Sequence, residues 1–169
     1  MIYTSYFAKL RKMPDNFHPI GITQYPPKWY DGLNYKDLAP TKKTLFAYKD
    51  KVEKDKDAAE KEYIESYVKE TLGGKDVRQE IEKVVAMLPS DVQEKIKEEG
   101  IPIWENPKEH LVLMCFERSD DFCHRNIVSK WMRENGIMAR EATDNDFEQS
   151  FHIETEIGNN GDKFYESYF

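Results

Sequence analysis

Only two cysteines, Cys115 and Cys123, occur in 169 residues. The opening stretch MIYTSYFAKLRKM lacks an apolar run followed by a small-residue cleavage site, so no secretory leader is expected. The cytosol is the expected setting. A structural disulfide would be unusual there, and both cysteines read as free thiols. Long apolar runs are missing as well: none approaches the ~18 residues that a membrane-spanning helix needs, which argues against a membrane partner. Basic side chains are not in excess, with 25 Lys and Arg against 32 Asp and Glu, a net charge of −7 and a pI near 5.2. Phosphate neutralisation supplies most general affinity for duplex nucleic acid, so this balance argues against such a partner. The chain holds no internal repeat or low-complexity tract.

What is present is enough for one core. The length fits a single domain. With 39% hydrophobic and 13% aromatic residues the composition is not that of a disordered chain. The 34% charged content implies a heavily solvated exterior with long surface helices.

Residues 2–7, IYTSYF, are β-branched and aromatic and predict a first strand. A second is predicted over 19–25, ended by Pro26-Pro27, which cannot continue a ladder. The aromatic-rich stretch 28–38 reads as a loop or a short helical turn. Thr41 is a candidate N-cap for a segment running to Lys51. Residues 53–72 read as one helix stopped by Gly73-Gly74, its charge run being a solvated face. Asp76 caps a further predicted helix with the apolar stripe Val77, Ile81, Val84, Val85 and Leu88. A short helix then starts at Ser90 or Asp91 and closes at Gly100.

The run His110–Phe116, HLVLMCF, is continuously apolar, as in a central strand covered on both faces. A polar loop, a helix from about Phe122 to Asn135 and a return strand over 137–141 complete a βαβ pattern. The predicted fold is a single α/β domain over 1–142, a mostly parallel sheet covered by helices in a Rossmann-like three-layer arrangement. Residues 143–169 form an acidic tail rich in aromatics, able either to pack back on the domain or to dock on a partner.

Ligands of open α/β sheets collect at the carboxyl ends of strands, where helix N-termini present free N–H groups. Cys115 and Glu117 belong at such an end, and Cys123, His124 and Arg125 in the following first turn. His124 shares a helical face with Ile127, Val128 and Trp131, so its ring is expected to point inward, with Cys123 and Arg125 about 100° to either side. A thiol, an imidazole, a carboxylate and a guanidinium together suit proton transfer and nucleophilic chemistry. Each also has a structural reading. Cys115 suits a core position, and Cys123 suits either a core position or a reactive thiolate at a helix N-terminus. His124 suits a bond to a carbonyl, and Glu117 suits capping or pairing with Arg125 or His124. Zinc-type donors are among these residues, but zinc ribbons place cysteines two to four residues apart in two knuckles. An adjacent Cys-His pair is not expected to aim both side chains at one ion. No metal and no cofactor are expected.

The run LMCFERSDDFCHRNIVSKWM, with Cys-x-Glu followed by Phe-Cys-His-Arg, resembles the signature of the family called domain of unknown function 488 (DUF488). The opening IYTSYFAKLRKMP, the stretch PIGITQYPPKWYDG, the LAP near Leu38 and the helix EYIESYVKETL are similar to its small members. The resemblance spans Met1 to about Glu141. It implies a compact α/β fold with no settled activity, and it puts the site on Cys115, Glu117, Cys123, His124 and Arg125. Members often carry an arginine near the end of the second strand, where this chain has Ile22-Thr23-Gln24-Tyr25.

The function expected from these readings is a pocket that binds, or acts on, a small anionic molecule of nucleotide or base type. Cys123, His124 and Glu117 are the candidate catalytic residues, and Arg125, Cys115, Tyr25 and Trp29 the candidate ligand contacts. The alternative is a protein-interaction module, or a protein that sequesters its ligand, in which the polar block is structural. Nothing in the sequence sets an oligomeric state.

Overall fold

The computed structural model describes residues 1–149. Four strands, β1 (Ile2–Tyr6), β2 (Phe17–Gly21), β3 (His110–Cys115) and β4 (Ala139–Glu141), pair in the order β2-β3-β1-β4, all parallel. This is a three-layer α/β fold. All six residues of β3 are buried, because a strand flanked on both edges and covered on both faces has no solvent side.

Side-chain alternation along β3 divides the core in two. Leu111 and Leu113 join Ile2 and Ile20 beneath the helices α1 (Lys42–Lys51), α2 (Lys56–Tyr67), α3 (Val77–Val85), α4 (Ser90–Glu98) and α5 (His124–Glu134), whose buried residues include Tyr67, Ile81, Val84, Ile96, Val128 and Met132. Val112 and Met114 point to the other face, with Tyr3, Phe17, Phe7, Ala142 and Phe147. That second layer is thin: a 3-10 segment, Phe7–Lys12, and a helical segment starting at 144. Phe147 is buried, so the segment expected to be tail enters the core at its start. Residues 150–169, with Phe151, Phe164, Tyr165, Tyr168 and Phe169, lie outside the described residues.

The caps read from the sequence at Thr41 and Asp76 are in place, and Asp55 adds a third. Thr41, Asp55 and Asp76 each accept a backbone N–H three residues on, at 3.1, 3.0 and 3.0 Å. The single helix predicted over 53–72 is instead α2 followed by a wider π-type turn, Val68–Leu72. The second strand starts two residues earlier and ends four residues earlier than predicted. After Gly21 the chain leaves the ladder, because the Asn34 side chain brackets Thr23, donating to its carbonyl at 2.9 Å and accepting its N–H at 3.3 Å. Gly21 bridges to Asn34 itself, and a Cβ there would collide with the Asn34 side chain. Ile22 still donates to Met114 O at 2.9 Å, which fixes the first loop residue beside β3.

Candidate functional site

Cys115 continues the face of Leu111 and Leu113, so its thiol emerges at the carboxyl end of β3 on the side covered by α5. Cys123 is the N-cap of α5, with extended backbone (φ −152°, ψ 142°), and His124 is its first helical residue. This is why an adjacent Cys-His pair converges. The expectation that both sit in one helical turn, splayed by about 100°, fails because Cys123 is not helical; its extended backbone swings the thiol back over the imidazole. One ligand atom each from Cys115, Cys123 and His124 lies within 4.8 Å of the others.

Cys115 Sγ is 3.5 Å and Cys123 Sγ 3.9 Å from His124 Nδ1. Both thiols also meet one carboxylate oxygen, Glu117 Oε2, at 3.0 and 3.1 Å. The opposite ring nitrogen, Nε2, lies 2.6 Å from Ile22 O. A carbonyl can only accept, so Nε2 carries the proton and the neutral ring keeps its lone pair on Nδ1; Cys115 Sγ, also 3.8 Å from Nε2, lies over the face of the ring. The ring is held from the side by Tyr67, 5.5 Å away between centroids, whose own hydroxyl donates to Leu38 O at 2.5 Å. Cys115, Cys123 and His124 are buried, whereas Glu117 is an exposed residue that turns one oxygen inward. It closes the cluster on the solvent side.

Burial pushes the Cys115 thiol well above its ordinary value, reinforced by its hydrogen bond with Cys123. Burial acts the same way on Cys123, but its contacts with Cys115 and with His124 outweigh it and bring that thiol down to about 6. Glu117 is desolvated too, yet the two S–H contacts hold its carboxyl below the ordinary range. Glu117 is therefore the first of the three to ionise and Cys115 the last.

Arg125 does not face this cluster. It is fully buried, its Nε pairs with Glu141 Oε2 at 3.0 Å, and its two terminal nitrogens donate to the carbonyls of Glu117 and Arg118 at 2.7 and 2.9 Å. Glu141 is held in turn by Thr4 and Ser119. The guanidinium braces the β3–α5 loop onto β4 and offers nothing to a ligand. The exposed cation of this loop is Arg118, which sequence reasoning passed over although it follows Glu117 directly.

Tyr25 and Trp29 are both exposed, at 50% and 62%. Trp29 stands edge-on to Phe7 at 6.3 Å, and Phe7 touches Phe116 at 5.9 Å. Phe116 was read as the last strand residue. It lies just past β3, on the face opposite Cys115, and is half exposed. Trp29 and Phe116 thus make an open aromatic ledge across the strand end from Glu117, and its sequence signal was the aromatic between Cys115 and Glu117. Tyr30 is turned inward, donating to Leu33 O at 2.7 Å. An open concavity of about 600 Å³ lies on the other side of the loop, lined by Tyr6, Lys9, Lys12, Ser119 and Glu141 among others; neither thiol nor His124 borders it.

No protein-family model matches this chain, and neither a curated protein nor a solved structure does.

Proposed function

We propose that the β3–α5 junction is a small-molecule site for an anionic ligand of nucleotide or base type, with Glu117, His124 and Cys123 as its reactive groups. The observation that carries this reading is the meeting of two thiols, an imidazole lone pair and a carboxylate around one point, behind a single exposed residue. Isolated buried polar groups are costly. Three of them beneath the Glu117 carboxylate, braced from outside by the buried Arg125 and its partner Glu141, suit a working site better than a core. Arg118 supplies positive charge at the rim, and the ledge of Trp29 and Phe116 offers faces on which a base can stack. The reading accords with the resemblance to DUF488, four of whose five signature residues, all but Arg125, are the ones that converge.

The test is a thermal-shift panel of nucleotides and nucleobases on wild type, Glu117→Gln and Arg118→Ala. A ligand that raises the wild-type melting temperature, with the shift reduced in both variants, supports the reading. If no anion stabilises the wild type, it fails. Cys123→Ser then separates two roles: a binder keeps its affinity without the thiol, and an enzyme that uses it loses its rate.

A further inference from the structure

The donor set has a simpler common purpose than proton traffic. Once ionised, Cys115, Cys123 and Glu117 are three anions in contact, and the guanidinium that should have balanced them is committed elsewhere. Weak S–H donors are what the two sulfurs offer Glu117 Oε2 and His124 Nδ1. A cation placed between the four groups would satisfy all of them together.

The ligand atoms gather within the reach of one zinc-type ion. Bonds of ~2.3 Å to sulfur and ~2.0–2.1 Å to nitrogen or oxygen, at tetrahedral angles, set neighbouring ligand atoms roughly 3.5–3.8 Å apart. The sulfur-to-Nδ1 separations are 3.5 and 3.9 Å, and Cys115 Sγ, which lies over the ring face at 3.8 Å from Nε2, has to swing toward the Nδ1 edge to share an ion with it. The sulfur-to-carboxylate separations of 3.0 and 3.1 Å lie somewhat inside that spacing, and the exposed Glu117 is the member able to move outward. The histidine is also prepared as a metal ligand. Metal-bound imidazoles almost always donate their other N–H to a carbonyl or carboxylate, which fixes the tautomer. The Nε2 contact with Ile22 O does this at 2.6 Å. Thiolate and imidazole donors at tetrahedral spacing select zinc over harder cations.

We propose that Cys115 Sγ, Cys123 Sγ and His124 Nδ1 bind one divalent zinc-type cation, with the Glu117 carboxylate at the fourth, solvent-facing corner. The inference rests on the reading of this junction as the working site and names what its buried half holds. It also adds positive charge in direct contact with the thiols, where the Arg125 guanidinium is hydrogen-bonded to Glu141 and two carbonyls instead. An anionic ligand entering from the solvent side would meet the metal by displacing Glu117.

Stripping the full chain with a chelator and titrating it with Co²⁺ and Zn²⁺ tests this. The expected result is one Co²⁺ per chain, with thiolate-to-cobalt charge-transfer bands in the near ultraviolet and the visible spectrum of a four-coordinate ion, displaced by Zn²⁺. Cys115→Ser and Cys123→Ser should each lower affinity at least ~10-fold, the low end of the loss seen when even an outer partner of a metal ligand is removed. Glu117→Gln should keep the charge-transfer bands and alter the visible ones. Because the serine variants can fail to fold, the wild type decides: no cobalt uptake, or uptake without charge-transfer bands, overturns the proposal. Repeating the nucleotide panel on metal-free and metal-loaded wild type separates the two readings. A nucleotide shift in protein that refuses cobalt overturns the metal site alone, and stoichiometric cobalt with no nucleotide shift supports the metal site while removing the anionic-ligand reading.

Discussion

At the scale of single residues, two arginines seven positions apart have opposite duties. Arg125 is a fully buried fork bonded to Glu141 and to two carbonyls of the loop that carries Glu117. Removing one partner of a buried ion pair costs about 3–5 kcal/mol. At roughly 2–4 °C per kcal/mol for a domain of this size, Arg125→Ala should lower the melting temperature by about 6 °C or more. Lysine should not rescue it, since a point charge cannot reach three acceptors in one plane. Arg118→Ala, by contrast, should leave the melting temperature within about 1 °C and weaken only anion binding, as surface substitutions usually change stability by less than ~0.5 kcal/mol. Sequence alone could not tell these arginines apart. The Cys-His-Arg run placed Arg125 beside the thiol along the chain, and helical phase turned it toward β4. The convergence of Cys123 with His124 was equally hidden, because it depends on Cys123 being the extended N-cap and not the first helical residue. The chemistry of Cys115, Glu117, Cys123 and His124 was legible, and their mutual aim was not.

At the scale of elements, three pieces of backbone aim the His124 ring: the N-cap of α5, the loop after β2 and the end of α2. The loop is held by the Gly21–Asn34 contact. Gly21→Ala should push Asn34 away, loosen Thr23 and move the Ile22 carbonyl off the imidazole. The loss of Ile22 O as acceptor would be read in the nitrogen chemical shifts of His124. The end of α2 presents Tyr67, after which the helix widens, a departure frequent at functional sites. Tyr67→Phe keeps the ring against His124 and strands Leu38 O in the core, so a loss of about 1–3 kcal/mol in chemical denaturation is expected. The helix pattern over 53–72 could not reveal this change of pitch, since both forms keep similar faces inward. The caps at Thr41, Asp55 and Asp76 are local hydrogen bonds. Two of them, Thr41 and Asp76, were legible for that reason.

At the scale of the whole molecule, the order of elements, the buried central strand and the layered α/β fold all followed from apolar runs and breakers. The junction between domain and tail did not, because a single aromatic, Phe147, decides it by packing on Tyr3 and Phe17's side of the sheet. A capping pair sets up that segment: Asp146 accepts from the Thr143 N–H at 2.8 Å and pairs with Arg140. Desolvation opposes ionisation of Asp146, but Arg140 and Thr143 outweigh it and hold its carboxyl at about 2. A folded value below the ordinary 3.8 means stability that is fully present above about pH 4 and lost as pH falls through about 2. Asp146→Asn should therefore cost about 1–2 kcal/mol at neutral pH, after allowance for solvent screening, and progressively less as pH falls through about 2. Denaturant titrations of both proteins across that range would show the two curves meeting at the acid end.

The pairing of Ile2 with Leu111 and of Phe17 with His110 has a kinetic side. Neither of the first two strands touches the other, and β3 is the seam that joins them. A nascent chain must hold both open until that segment leaves the ribosome, through the whole synthesis of four helices. Ribosome-bound fragments ending before His110 should give no protected sheet amides, and those reaching past Glu141 should give them together.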